Sequence, residues 1–291
     1  MKNMIIMNKI IITIMKSIKI LAAMMTVVTV TSSCAVRFDR KKILDKVRES
    51  AALTLNGSGN YVTRTVHVAD FSRINLVLSG IDAEFMQDDS CFVSVCASDN
   101  IQEYISVTSI DGCLYVNFMK DSTGRNYSIM SSEDVQVTVH GPQLKDVAVC
   151  GSGDFTCSGL RQPESPMHVS IVGSADADLD GLEAAEVSFE IAGSAEIDCK
   201  NVTAGSVALR ISGSGSIDID DMSVREVEAG VSGSGNITLK GNAERSSYSI
   251  SGSGSIDASE LACHETSSNV SGSGSVEYRD GSGRIVESRR K

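Results

Sequence analysis

The chain has 291 residues, 37 of them acidic and 26 basic, with no tryptophan and aromatics at only 4%. An acidic surface repels phosphate backbones and so few aromatics offer no base-stacking platform, which excludes nucleic-acid binding. The length suffices for one large core or two smaller ones.

Residues 1–33 contain no acidic residue, carry Lys2, Lys9, Lys16 and Lys19, and run apolar from Ile20 to Val30. That layout is an export signal, with Met1 or Met15 as its start. Thr26, Thr29, Thr31, Ser32 and Ser33 leave the apolar run short of the roughly 20 residues that a membrane-spanning helix needs. The small residues Ser32 and Ser33 before Cys34 resemble the lipobox of bacterial lipoproteins. The resemblance implies that Cys34 is the acylated first residue of the mature protein, a membrane anchor with a body behind it. Ala35, in place of the Asp that retains many such proteins at the inner membrane, implies an outer-membrane lipoprotein of the cell envelope, periplasmic or surface-exposed. Without residues 1–33 the chain keeps 22 basic against 37 acidic residues, a net charge of −15. Residues 34–56, with KKILDKVRES, form a tether.

Residues 57–146 are an irregular β section. RTVHVADFSRINLVLSG (64–80), FVSVCA (92–97), ISVTSI (105–110), CLYVNF (113–118) and VQVTVHG (135–141) alternate as strands, and Asp111-Gly112 marks a hairpin. Ser79-Gly80 has the form of a degenerate first corner, and the section caps one end of the regular repeat that begins at residue 147. Beyond Cys34 lie seven cysteines, an odd number at irregular spacing without any CxxC pair, which speaks against a disulfide framework or a zinc site. They are expected as small buried hydrophobes.

Residues 147–280 repeat. Seven copies of apolar-x-Gly-Ser-(Gly/Ala) place their first glycine at Gly151, Gly173, Gly193, Gly213, Gly233, Gly252 and Gly272, spaced 22, 20, 20, 20, 19 and 20. Linker-like composition has no reason to keep a period, whereas the rung of a solenoid does. Apolar columns stand two before the glycine (Val149, Ile171, Ile191, Ile211, Val231, Ile250, Val270) and four after it (Phe155, Ala177, Ile197, Ile217, Ile237, Ile256, Val276). Polar residues alternate with them, so two short strands flank a corner. Helices are disfavoured by the β-branched, Ser, Asp and Gly content. Stacking at about 4.8 Å would pair each strand with its equivalents and bury the columns, giving a parallel β-solenoid of about 20-residue rungs. The invariant glycine suits positive φ. The second is Ala at 175 and 195, so close packing rather than φ accounts for it, and the serine hydroxyls between them are expected to bond one another or nearby backbone. Residues 281–291 are a polar tail, whose charges discourage end-to-end stacking.

VHVADFSRINLVLSG (66–80), DGCLYVNF (111–118), VTVHGPQLKDVAVCGSGDF (137–155) and the terminal ISGSGSID and VSGSGSV repeats together resemble the auto-transporter adhesin head GIN domain family. The resemblance covers residues 57–280 and implies a right-handed parallel β-helix on an exported or lipid-anchored protein. It brings no catalytic residues.

Two acidic columns follow the corners: Asp154, Asp176 and Glu196 three after the glycine, and Asp178, Asp198, Asp218, Asp257 and Glu277 five after. Asp176, Asp178, Glu196, Asp198 and Asp218 form the candidate ligand or cation face. Ca²⁺ takes six to eight oxygens and could use such ladders, but a solvated face that keeps the solenoid soluble is the preferred reading. No metal and no cofactor is expected. The competing class is a polysaccharide-active β-helix enzyme, a lyase or hydrolase, which needs a base and an Arg or metal converging on one groove. Arg210 alone lies near the central acidic columns, and His67, His140, His168 and His264 are scattered. The expectation is a non-enzymatic, lipid-anchored solenoid for surface structure or adhesion, with a glycan or protein surface as partner.

Overall fold

A computed structural model describes residues 53–289, apart from 79, 123, 126 and 130–134. The export signal and Cys34 lie outside the described residues. The strands, in chain order, are β1 (Leu53–Leu55), β2 (Tyr61–His67), β3 (Arg73–Leu78), β4 (Ile81–Gln87), β5 (Phe92–Ser98), β6 (Ile105–Ile110), β7 (Cys113–Phe118), β8 (Tyr127–Ile129), β9 (Val135–Gly141), β10 (Asp146–Gly151), β11 (Phe155–Ser158), β12 (Arg161–Gln162) and β13 (Met167–Gly173). Five long strands come next, β14 (Asp176–Gly193), β15 (Glu196–Gly213), β16 (Ser216–Gly233), β17 (Asn236–Gly252) and β18 (Ser255–Gly272), then β19 (Ser275–Arg279) and β20 (Ile285–Arg289). One four-residue helix, α1 (Asp99–Gln102), interrupts them.

The chain is a β-solenoid of about seven turns. From β14 to β18 each rung pairs in parallel with the next, Ile197 with Ile217 and Ile217 with Ile237. These three isoleucines are at most 1% exposed, so the repeating apolar columns form the continuous dry core. Each buried aliphatic contributes roughly 1.5–3 kcal/mol, which makes this column packing the main source of stability.

A rung has three straight segments rather than the two expected. Pairing skips Asn201 and Asp221, and again Gly205 and Arg225. The first break holds a left-handed residue in successive rungs, Gly159, Gly181, Asn201 and Asp221, with φ between 56° and 70°. Gly, Asn and Asp are the types that tolerate this conformation. The 19-residue rung loses its residue at the same break, where the register shifts between Ile219 and Met222.

The N-terminal section caps the stack out of chain order. β3 and β4 form a rung on which β10 and β11 stack, although more than 60 residues separate them. On the other side of that rung lie β7 and β9, also parallel. β5 and β6 then pair antiparallel with β9 and β7, and β2 pairs antiparallel with β5. The Asp111-Gly112 turn between β6 and β7 has φ of 52° and 71°, a type I′ hairpin. Where the chain enters the regular rungs, the buried Gln162 accepts from the Leu144 N–H and donates to the Leu144 and Pro166 carbonyls. At the other end, residues read as a polar tail fold back in part as β20, antiparallel to β19.

Candidate functional site

Two long sheet faces flank the column of glycine corners. At each corner the first glycine has φ between 126° and 145° from Gly173 to Gly272, and a side chain there would overlap the carbonyl oxygen of the glycine one rung below. That carbonyl accepts the N–H of the following serine, as in Ser214 to Gly193 at 2.9 Å and Ser234 to Gly213 at 2.8 Å. The serine ladder therefore works through backbone and not through hydroxyls, contrary to expectation. The side chains of Ser174, Ser194, Ser214 and Ser234 face solvent, because positive φ at the glycine turns the following residue outward.

The second corner position exists in two forms. Where it is glycine from Gly215 on, at 215, 235, 254 and 274, the next N–H reaches a carbonyl of the rung below: Ser216 to Ala195, Asn236 to Gly215, Ser255 to Gly235 and Ser275 to Gly254, at 3.0–3.2 Å; at Gly153 the next N–H, that of Asp154, takes the Asp82 carboxylate at 3.3 Å. A Cβ at Gly215, Gly235, Gly254 or Gly274 would press into that same carbonyl oxygen. Where it is alanine, the next N–H takes a carboxylate instead: Glu196 donates to Asp176 at 3.1 Å, and Asp176 donates to Asp154. Asp176, read as part of the candidate ligand face, and Asp154, one rung earlier in the same column, are thus backbone acceptors below Ala195 and Ala175, as Asp82 is below Gly153. Burial first, then neighbouring carboxylates, push the Asp154 carboxyl up, against the N–H bond that lowers it.

The second acidic column is a true ladder. Asp178, Asp198 and Asp218 lie on adjacent strands in register, continued after Thr238 by Asp257 and Glu277. Glu196, Asp198 and Asp218 bring carboxylate oxygens within 4.8 Å of one another. The Glu196 carboxyl is raised chiefly by the charge of Asp198, with burial and Asp176 adding. The Asp198 carboxyl is raised by burial first and then by Asp218 and Asp178, with Lys200 opposing. Next to this ladder charges alternate in sign, Asp180, Lys200, Asp220, Lys240 and Glu260, with Lys240 and Asp220 at 2.8 Å.

The face leading into the corner is a continuous parallel sheet of β7, β3, β10, β13 and the C-terminal halves of β14 to β18. Its outward-facing position, in register with the residue before each corner glycine, runs from Val77, the half-buried Cys150 and Val172 to Ala192, Ser212, Ser232, Ser251 and Ser271. Val77 and Val172 are 51% and 45% exposed. A groove of about 520 Å³ crosses this face from Ser170 to Asn269 and Ser271. Arg210 lies in it between Glu190 at 3.7 Å and Glu228 at 3.2 Å. Sequence reasoning noted Arg210 but missed the groove, whose signal was a column of Ala and Ser beside one of mixed polar residues.

All seven cysteines beyond Cys34 are free thiols. Cys113, Cys157 and Cys199 are buried and the other four partly so. Burial pushes the Cys157 thiol up to about 12, so it is inert at neutral pH. Two histidines meet in the cap, where His140 stacks on Phe92 at 4.0 Å and His67 packs on the same ring at 6.2 Å, and His168 stands apart on β13. Among the described residues no helix is long and apolar enough to cross a membrane.

Fold and faces define a β-solenoid that presents long, regular surfaces, one crossed by a groove of mixed polar and apolar lining, the architecture of a surface-binding protein. The family model described as "Putative auto-transporter adhesin, head GIN domain" matches residues 70–200 and 189–282, and the chain belongs to this family. Similar folds occur in a "Putative lipid binding protein" of Parabacteroides distasonis ATCC 8503 (21% identity, TM-score 0.62, 77% of this chain and 98% of that one). A "putative adhesin" of Bacteroides fragilis NCTC 9343 is alike to the same degree (22%, 0.62, 76% and 98%). Another, from Parabacteroides merdae ATCC 43184, is 20% identical with a TM-score of 0.53 over 77% of this chain and 98% of that one. No curated protein matches. The family and these structures carry the names of adhesins and of a lipid-binding protein, none that of an enzyme.

Proposed function

We propose that the chain is an exported lipoprotein, acylated at Cys34 and held at the outer membrane, whose solenoid is a non-catalytic module for binding a surface. The observation that carries this reading is the unbroken nine-strand face with its groove, since identical strand positions recur along it and suit a partner that also repeats. The adhesin name of the family supports it. The carboxylate ladder of Asp178, Asp198 and Asp218, with Glu196, keeps the face on the other side of the corner hydrated. A polysaccharide-cleaving role finds less support, because the Glu190 and Glu228 side chains are both open to solvent and engaged by Arg210, and the names of the family and of its solved neighbours are not those of enzymes.

Two measurements test the proposal. Cys34→Ala is expected to move the protein from the membrane fraction to the soluble extracytoplasmic fraction and to abolish incorporation of labelled palmitate. Protease applied to intact cells is expected to digest the solenoid, and complete protection of the wild-type chain would overturn adhesion to external partners.

A further inference from the structure

We propose that the groove on the face leading into the corners takes a linear, uncharged polysaccharide lying along the solenoid axis, across the strands. This rests on the surface-binding reading and specifies its partner. The groove crosses six strands, from Ser170 on β13 to Asn269 on β18. At a strand spacing of about 4.8 Å that is about 24 Å. A ligand along this axis meets the same strand position at every step, so a chain of repeated units uses the groove more fully than a compact molecule does.

The backbone excludes one partner class. Residues of β13 to β18 on this face are already paired in parallel with the neighbouring rungs. The face therefore offers no free edge on which a peptide could add as a strand, and recognition falls to side chains. Ala192, Ser212, Ser232 and Ser251 are short, so the floor is flat, with hydroxyls one strand apart and the apolar edges of the buried column beside them. Such a floor matches the alternation of C–H and hydroxyl groups on a sugar ring. Planar carboxylates and the Arg210 guanidinium, held between Glu190 and Glu228, retain acceptors and donors for vicinal hydroxyls.

Charge decides which polysaccharide. Arg210 is outnumbered by its two glutamates, and the chain after residue 33 carries a net charge of −15. Uronate, sulfate and phosphate polymers are repelled, which leaves neutral chains. No aromatic side chain lines the groove, so affinity comes from many weak contacts and must grow with length.

The test is calorimetric titration of the full chain in mild detergent with cello-, laminari-, manno- and xylo-oligosaccharides, disaccharide to octasaccharide, and with polygalacturonate. The expected result is saturable binding of at least one neutral series that tightens about tenfold, or 1.4 kcal/mol, from disaccharide to hexasaccharide and then levels. Ser212→Lys, at an exposed position where the long side chain fills the groove without a ring on which a sugar could stack, and Arg210→Ala are each expected to weaken it about tenfold, with urea midpoints unchanged. Asp198→Asn, on the other face, leaves it intact. The inference is overturned by no heat from any neutral series, by binding that Ser212→Lys does not weaken, or by tighter binding of polygalacturonate. It is also overturned if phosphatidylethanolamine vesicles bind in a Ser212-dependent way and the sugars do not. These failures leave the surface-exposed reading standing, because protease accessibility on cells tests it separately.

Discussion

The two forms of the corner predict a coupling between positions on adjacent rungs. In Gly235→Ala the new Cβ would stand 2.7 Å from the Gly215 carbonyl oxygen and 2.6 Å from Ile211 Cγ2. That carbonyl accepts the Asn236 N–H at 3.0 Å, so relieving the clash lengthens or breaks the bond. Overpacking costs about 1–3 kcal/mol and an unsatisfied N–H about 1–3 kcal/mol, so a loss of about 2–6 kcal/mol is expected. Ala195 escapes this cost because Asp176 takes the Glu196 N–H. The position equivalent to Asp176 for residue 235 is Ser216, which pairs in register with Asn236 and is too short to reach as the aspartate does. Ser216→Asp in the Gly235→Ala background is expected to restore about 1–2 kcal/mol through a charge-assisted bond, after a small penalty from Glu196 on the strand below. In the wild-type background, where the N–H is already paired, Ser216→Asp gains nothing. Urea unfolding followed by far-ultraviolet circular dichroism gives the four midpoints of the cycle. Effects that add to within about 0.5 kcal/mol would refute the coupling.

Four further outcomes rest on the corner and on the carboxylate ladder. Gly213→Ala, forced into φ near 141° against the Gly193 carbonyl, is expected to cost about 3–5 kcal/mol in the same assay. Amide exchange at Ser214 and Ser234 is expected to be among the slowest in the chain, since both N–H groups are bonded across rungs, and fast exchange there would contradict the corner structure. Asp198→Asn is expected to stabilise the fold by about 0.5 kcal/mol at neutral pH and low salt. The Glu196 and Asp198 carboxyls are raised in the fold, so their repulsion weighs fully above the folded pKa and fades as pH falls toward the unfolded carboxylate range. The advantage of the variant over wild type in melting temperature should therefore shrink on acidification. Calcium titration in the same buffers should show no site tighter than millimolar, and uptake lost in Asp198→Asn would instead make the ladder a cation site.

The sequence by itself determined the rung. Apolar columns such as Ile197, Ile217 and Ile237 recur every 20 residues, and stacked strands are the arrangement that buries all of them at once. It also determined the first corner, because a glycine invariant through seven copies needs a backbone reason, and the overlap with the carbonyl below supplies it. Tertiary structure alone decided the rest. The first break in the rung after the corner is marked only by Gly, Asn and Asp in one column, types that also occur at ordinary exposed sites. Asp176 and Asp178 look alike in the chain, yet one accepts a backbone N–H and the other stands in a repelling ladder, because their roles depend on which groups the next rung brings close. The placing of β3 and β4 between β7 and β10 is set by pairing between segments far apart in sequence, which no local pattern encodes.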